Sequence, residues 1–127
     1  MSFFNNIFGS NEQQLPSKIN WNHLIDLGQL NNLVAESDTK YVLIFKHSTR
    51  CSVSRMALRQ FENEFDAHDK ITPYFLDLLE HRDISNDIAE RFGVTHQSPQ
   101  MLLIRNGKSI FDASHSSINA EDLLRYI

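Results

Sequence analysis

The stretch Tyr41-Val-Leu-Ile-Phe45-Lys-His-Ser-Thr-Arg-Cys51-Ser-Val-Ser54 decides how this chain reads. Tyr41 to Phe45 is a continuous β-branched and aromatic run, the pattern of a strand covered on both faces. A short polar loop follows it. Ala57, Leu58, Phe61 and Phe65 then recur at helical spacing, over a segment starting near Cys51 to Ser54 and ending near Asp66. Cys51 therefore stands where a buried strand has ended and a helix begins.

Outward from this stretch the chain alternates. Upstream, from Asn20, Leu24, Leu27, Leu30, Leu33 and Val34 predict a helix interrupted near Gly28 and broken by Ser37-Asp38. Downstream, Ile71 to Leu76 reads as a strand, and Pro73 suggests a sheet edge or a strand start. Asp83 to Phe92 reads as a helix with Ile84, Ile88 and Phe92 on one face and Gly93 as its stop. Met101 to Ile104 is a third strand, Asn106-Gly107 a hairpin turn, and Ser109 to Ala113 the returning fourth strand. Asn119 caps a last helix through Leu123, Leu124 and Ile127. The order α-β-α-β-α-β-β-α calls for parallel pairing of the early strands through right-handed crossovers, then an antiparallel hairpin. The expected class is α/β, a mixed four-stranded sheet with helices on both faces, which is the thioredoxin-like arrangement.

Composition bounds the function. The 127 residues fit one domain, and 41% hydrophobic with 22% charged residues is ordinary for a globular protein. A single cysteine excludes an internal disulfide framework, a thiolate zinc site within one chain and a self-contained dithiol couple. With 12 basic against 16 acidic residues the net charge is −4, so nucleic acid is not an expected partner. No run of about eighteen apolar residues exists, so no membrane span is expected. The start, MSFFNNIFGSNEQQ, has no basic n-region, and a cytoplasmic location with a reduced thiol follows as the expectation. Residues 1–18 read as a flexible lead-in, whose Phe3, Phe4, Ile7 and Phe8 could touch a membrane or partner but more often fold back onto the domain or an oligomer, and residues 19–127 as the domain.

The chemistry gathers at Cys51. A helix start presents unpaired amides and the positive end of a dipole, so a thiol there ionises more easily. Arg50 adds positive charge, His47 adds more if it points inward, and Ser54 is placed to donate to a sulfur anion. The alternative is a small buried filler, yet Ser, Thr, Arg and Ser are poor neighbours for a core position. A second feature is His96-Gln97-Ser98-Pro99 before the third strand. Read alone, that proline takes a trans bond; in the element order above it is expected to be cis and to face Cys51. Ser98 would then offer its backbone to an extended substrate. His47, His96 and His115 lie where they could converge on Cys51, but their spacing shows no ligand motif, and no metal site is assigned.

These features together resemble the thioredoxin superfamily and, more narrowly, the monothiol bacilliredoxin family. The resemblance is carried by Phe45-Lys-His-Ser-Thr-Arg-Cys51-Ser-Val-Ser54, Ser98-Pro99, the Arg105-Asn-Gly-Lys108 hairpin and Ser114-His-Ser116, and covers about residues 20–127. One position departs from it: the family commonly has proline after the cysteine, where this chain has Ser52, restoring an amide donor at the helix start.

The resemblance implies thiol–disulfide exchange by one nucleophile, Cys51, with no cofactor. The clients are proteins whose cysteines carry a low-molecular-weight thiol as a mixed disulfide, and the family's cap is bacillithiol. Without a second cysteine at position 54, another thiol must release the cap. Lys46 and Arg50 are candidates for holding an anionic cap, or simply solvated charges, and Ser98 and Pro99 for holding a backbone. Two other readings share the scaffold: an adaptor in which Cys51 is incidental, and a thiol-stress sensor in which Cys51 is oxidised and capped as a signal.

Overall fold

A computed structural model describes residues 19–127. The lead-in expected over residues 1–18, with its phenylalanine cluster, lies outside the described residues. The elements run β1 (Asn22–His23), α1 (Gly28–Glu36), β2 (Tyr41–His47), α2 (Ser52–Glu64), β3 (Ile71–Asp77), α3 (Arg82–Phe92), β4 (Gln100–Arg105) and β5 (Lys108–Ser114). Two 3₁₀ turns follow, His115–Ser117 and Ala120–Arg125.

The sheet has five strands in the order β1-β3-β2-β4-β5, with β1, β3 and β2 parallel and β4 and β5 antiparallel. The fifth strand is β1, two exposed residues pairing Asn22 with Tyr74 and His23 with Phe75. The expected helix over this region begins only at Gly28: Leu24 is buried, but as a loop residue whose N–H donates to the Phe75 carbonyl (2.9 Å). β3 is consequently not an edge strand. Pro73 sits just outside the two-residue ladder with β1, where the Asn22 side chain donates to its carbonyl (3.1 Å). The last helix is the 3₁₀ turn Ala120–Arg125, started by Asn119, whose side-chain oxygen accepts the Glu121 N–H (2.9 Å).

Strand alternation divides the core between two faces. Leu43 and Phe45 join Met101, Leu103, Ile71 and the α2 residue Phe61 in one cluster. Trp21 packs there against Phe45, Phe61 and Phe75, and its Nε1–H donates to Glu62 (2.7 Å). Val42 and Ile44 join Leu102, Ile104, Leu30 and Leu33 of α1, and Ile84 and Ile88 of α3. Both faces are covered, which explains why β2 and β4 read as unbroken apolar runs.

The β4–β5 turn is pinned from outside the sheet. Asn106 and Gly107 both have positive φ, as the two-residue hairpin requires. Ser37, at the end of α1, binds them both: its carbonyl accepts the Asn106 N–H (2.7 Å) and its Oγ accepts the Gly107 N–H (2.8 Å). The Ser37 hydroxyl donates in turn to the Val34 carbonyl (2.6 Å).

Candidate active site

Cys51 is the residue immediately before the first turn of α2, in extended conformation and half-buried. The loop delivering it is tightly stitched. The Cys51 N–H donates to the Ser48 carbonyl (3.2 Å), and the Arg55 N–H to the Cys51 carbonyl (3.0 Å). The Arg55 guanidinium reaches back to the Thr49 carbonyl (3.0 Å). The amides of Ser52, Val53 and Ser54 have no acceptor among the described residues, as befits a helix start. They are the donors an anion at this position would meet.

Ser54 and His47 form one unit beneath this loop. The Ser54 Oγ accepts the Ser48 N–H (3.0 Å) and lies 2.9 Å from His47 Nδ1. Both side chains are buried. The His47 ring packs on Phe75, and burial holds its pKa below the usual imidazole value, with Asp77 and Glu62 acting in the opposite direction. These residues therefore hold the helix start in place; Ser54 Oγ is engaged by its neighbours and makes no hydrogen bond to the Cys51 sulfur among the described residues. Arg50 is exposed beside Cys51. Arg55 is the residue that sequence reading missed, although its position four residues after Cys51, one helical turn on, is a usable signal. A shallow depression of about 430 Å³ runs along α2 next to the cysteine, lined by Ser52, Arg55, Met56, Arg59, Gln60 and Asn63.

The Ser98–Pro99 peptide bond is cis. Lys46 of β2 pairs with Gln100 of β4, so the strand end leading to Cys51 and the loop ending at Pro99 share one end of the sheet. The Pro99 carbonyl accepts the His115 N–H (2.9 Å), and α2 packs on the turn that His115 opens. The buried Ser98 hydroxyl has no hydrogen-bond partner among the described residues. Lys46 is placed differently from the other candidates. It belongs to the face covered by α3, fully buried, with its Nζ 3.4 Å from the Ser85 carbonyl and 3.3 Å from His96 Nδ1. Of the three histidines, His47 lies under the cysteine loop, His115 holds Pro99 through its backbone, and His96 meets Lys46.

The family model described as monothiol bacilliredoxin BrxC matches residues 22–123. The chain belongs to the monothiol bacilliredoxin family. A solved structure described as a candidate oxidoreductase with a thioredoxin fold is 32% identical to this bacilliredoxin, covering 81% of this chain and 89% of its own at a TM-score of 0.71. Thioredoxin from Malassezia sympodialis shares the fold at 19% identity, with 88% and 91% of the two chains covered and a TM-score of 0.66. Mitochondrial thioredoxin 3 from Saccharomyces cerevisiae does so at 23% identity, 83% and 91% coverage and a TM-score of 0.60. The bacilliredoxin thus has the thioredoxin fold with one cysteine in the chain, and no helix among its described residues is long and apolar enough to cross a membrane.

Proposed function

We propose that this bacilliredoxin removes low-molecular-weight thiol caps, of the bacillithiol type, from protein cysteines by monothiol exchange at Cys51. The observation that carries the reading is the setting of Cys51: the chain's one thiol, half-buried before three unpartnered amides of α2, in a chain of this family.

The steps balance without any outside oxidant. The Cys51 thiolate attacks the cap sulfur of a client–cap disulfide. A Cys51–cap disulfide forms, the client–cap bond breaks, and the client leaves as a thiolate that takes up a proton. A second small thiol then attacks the cap sulfur, freeing Cys51 and leaving as the oxidised small-molecule disulfide. The amides of Ser52, Val53 and Ser54 favour the anionic sulfur in both steps. His47 and Ser54 fix the helix start that carries those amides. Ser98, beside Pro99, offers its backbone N–H and carbonyl to the client or cap. Of the two cations offered to an anionic cap by the sequence, Arg50 is the exposed one, and Arg55 lines the depression along α2.

Intact-mass spectrometry of the reduced protein, mixed with a client capped by bacillithiol, tests the reading. A glutathione-capped client and a Cys51→Ala variant run alongside. One bacillithiol adduct on Cys51, formed faster than with glutathione and absent from Cys51→Ala, is the expected result. No adduct, or one forming no faster than on a free cysteine peptide, overturns the enzymatic reading and leaves the adaptor.

A further inference from the structure

Lys46 is the one buried cation of the core, and no carboxylate bonds it among the described residues. Its neighbours come from four directions. β3 contributes Leu76 opposite it, and β4 contributes Gln100, whose Nε2 is spent on the Thr95 carbonyl (3.0 Å) and Ser114 Oγ (3.2 Å). α3 contributes the Ser85 carbonyl and, further off, the Arg82 charge; the loop after α3 contributes His96. Asp77, the acid at the end of β3, pairs in register with His47. An ammonium group has only donors, so His96 Nδ1 must accept from Lys46. Ser85 Oγ also lies 3.2 Å from the same nitrogen. While Lys46 is an ammonium, Nδ1 is the accepting nitrogen and the ring proton sits on Nε2. Two residues beyond His96 comes Ser98, then Pro99.

The geometry points to Lys46 as a positioning residue: its buried ammonium, bonded to His96, ties the loop 93–99 to β2 and α3 and so holds the Ser98 backbone where an extended client disulfide is received. The inference rests on the exchange function proposed above, and it assigns Lys46 a place in client capture without contact to Cys51, which is served by the opposite face. Burial lowers the Lys46 pKa to about 8, which makes the tether sensitive to mildly alkaline conditions. His96 is exposed, and its own pKa is held down by partial burial and by the charges of Lys46 and Arg82.

The test compares wild type with Lys46→Met, which keeps the volume of the stem, and with His96→Ala, which cuts the tether at the surface without touching the core. Two rates are followed from pH 6.5 to 9.5: exchange with a disulfide-capped client peptide over a range of concentrations, and alkylation of Cys51 by iodoacetamide, which needs no client loop. The expected result is a KM for the client raised about tenfold in each variant, the scale of one charge-assisted hydrogen bond, with kcat and the alkylation rate within twofold of wild type. The double variant should be no worse than either single one. The ratio of exchange to alkylation, which cancels the ionisation of Cys51, should fall above pH 8 in wild type and stay flat in Lys46→Met. An unchanged KM overturns the proposal, and so does an alkylation rate that falls in step with exchange. A second readout is independent of activity: NMR titration of His96 should show its pKa raised in Lys46→Met, and equal titration in both proteins means there is no tether. If wild type itself exchanges no faster than a free cysteine peptide, the proposed function falls, while the His96 titration still decides the tether.

Discussion

Lys46 and His47 are consecutive on β2, and the two faces of the sheet treat their buried nitrogens in opposite ways. On the α2 face, His47 is held by a neutral hydroxyl, Ser54, against an aromatic ring, and burial favours its uncharged form. On the α3 face, Lys46 is held as a cation by a carbonyl and an imidazole. The side that carries Cys51 is thus built from contacts that do not change between pH 7 and 9. The side that carries Ser98 and Pro99 depends on a charge that does. One strand end anchors both halves of the site, and only the half beneath Ser98 and Pro99 is held by a side chain that changes charge between pH 7 and 9.

The comparison breaks most readily at its common root. Phe45 is fully buried against Trp21 and Phe61 on the α2 face, so Phe45→Ala should cost about 3–5 kcal/mol in urea unfolding. If the loss were below about 1 kcal/mol, the α2 face would not be the rigid half. Ser54→Ala should cost about 1–3 kcal/mol, because the buried Ser48 N–H and His47 Nδ1 both lose their partner. It should also change the alkylation rate of Cys51, whereas His96→Ala should leave that rate alone.

The α3 face has its own signature in the pH dependence of stability. Lys46 titrates near 8 in the folded chain and near 10.5 when unfolded. Between those values the unfolded state binds more protons, so stability rises with pH there and is flat below about 8 for this group. The rise is on the order of 2 kcal/mol and should vanish in Lys46→Met, as chemical unfolding at pH 7.5 and 10 would show. His47 contributes the smallest effect, on the acid side. Its folded pKa is lowered, so the unfolded state takes up the proton first as pH falls through the ordinary imidazole range. The stability lost there should shrink in His47→Gln, and equal acid limbs in both proteins would assign the loss to other groups.

Much of this arrangement is legible in the residues. The run Tyr41 to Phe45, the helical spacing of Phe61 and Phe65, and the hairpin Asn106-Gly107 all state their structure locally, because each is long enough or distinctive enough to carry its own period or turn chemistry. β1 does not: two exposed residues have no periodicity, and only the edge of β3 makes them a strand. The terminal segment kept its Asn119 start but winds as 3₁₀, a choice that the spacing of Leu123 and Ile127 does not distinguish. Within the site, Cys51 at a helix start and Pro99 at a strand entry followed from element order. The inward turn of Ser54 toward His47 depends on contacts across the loop, which no spacing rule contains. The separation of Lys46 from Cys51 was available, since strand residues alternate faces and Lys46 falls in step with Val42 and Ile44.

Ser37 gives the sheet a ruler. By gripping the Asn106 and Gly107 amides from the end of α1, it sets the zero from which every position along β4 is measured. A hairpin that slipped by two residues would preserve all the inward and outward alternation of β4, yet it would carry Pro99 roughly 7 Å along the strand axis. A two-residue slip at the Asn106 tip would therefore damage client capture at the far end of the strand while leaving Cys51 as reactive as before. The spacing between Cys51 and the Ser98–Pro99 loop is a length set in part from the far end of β4.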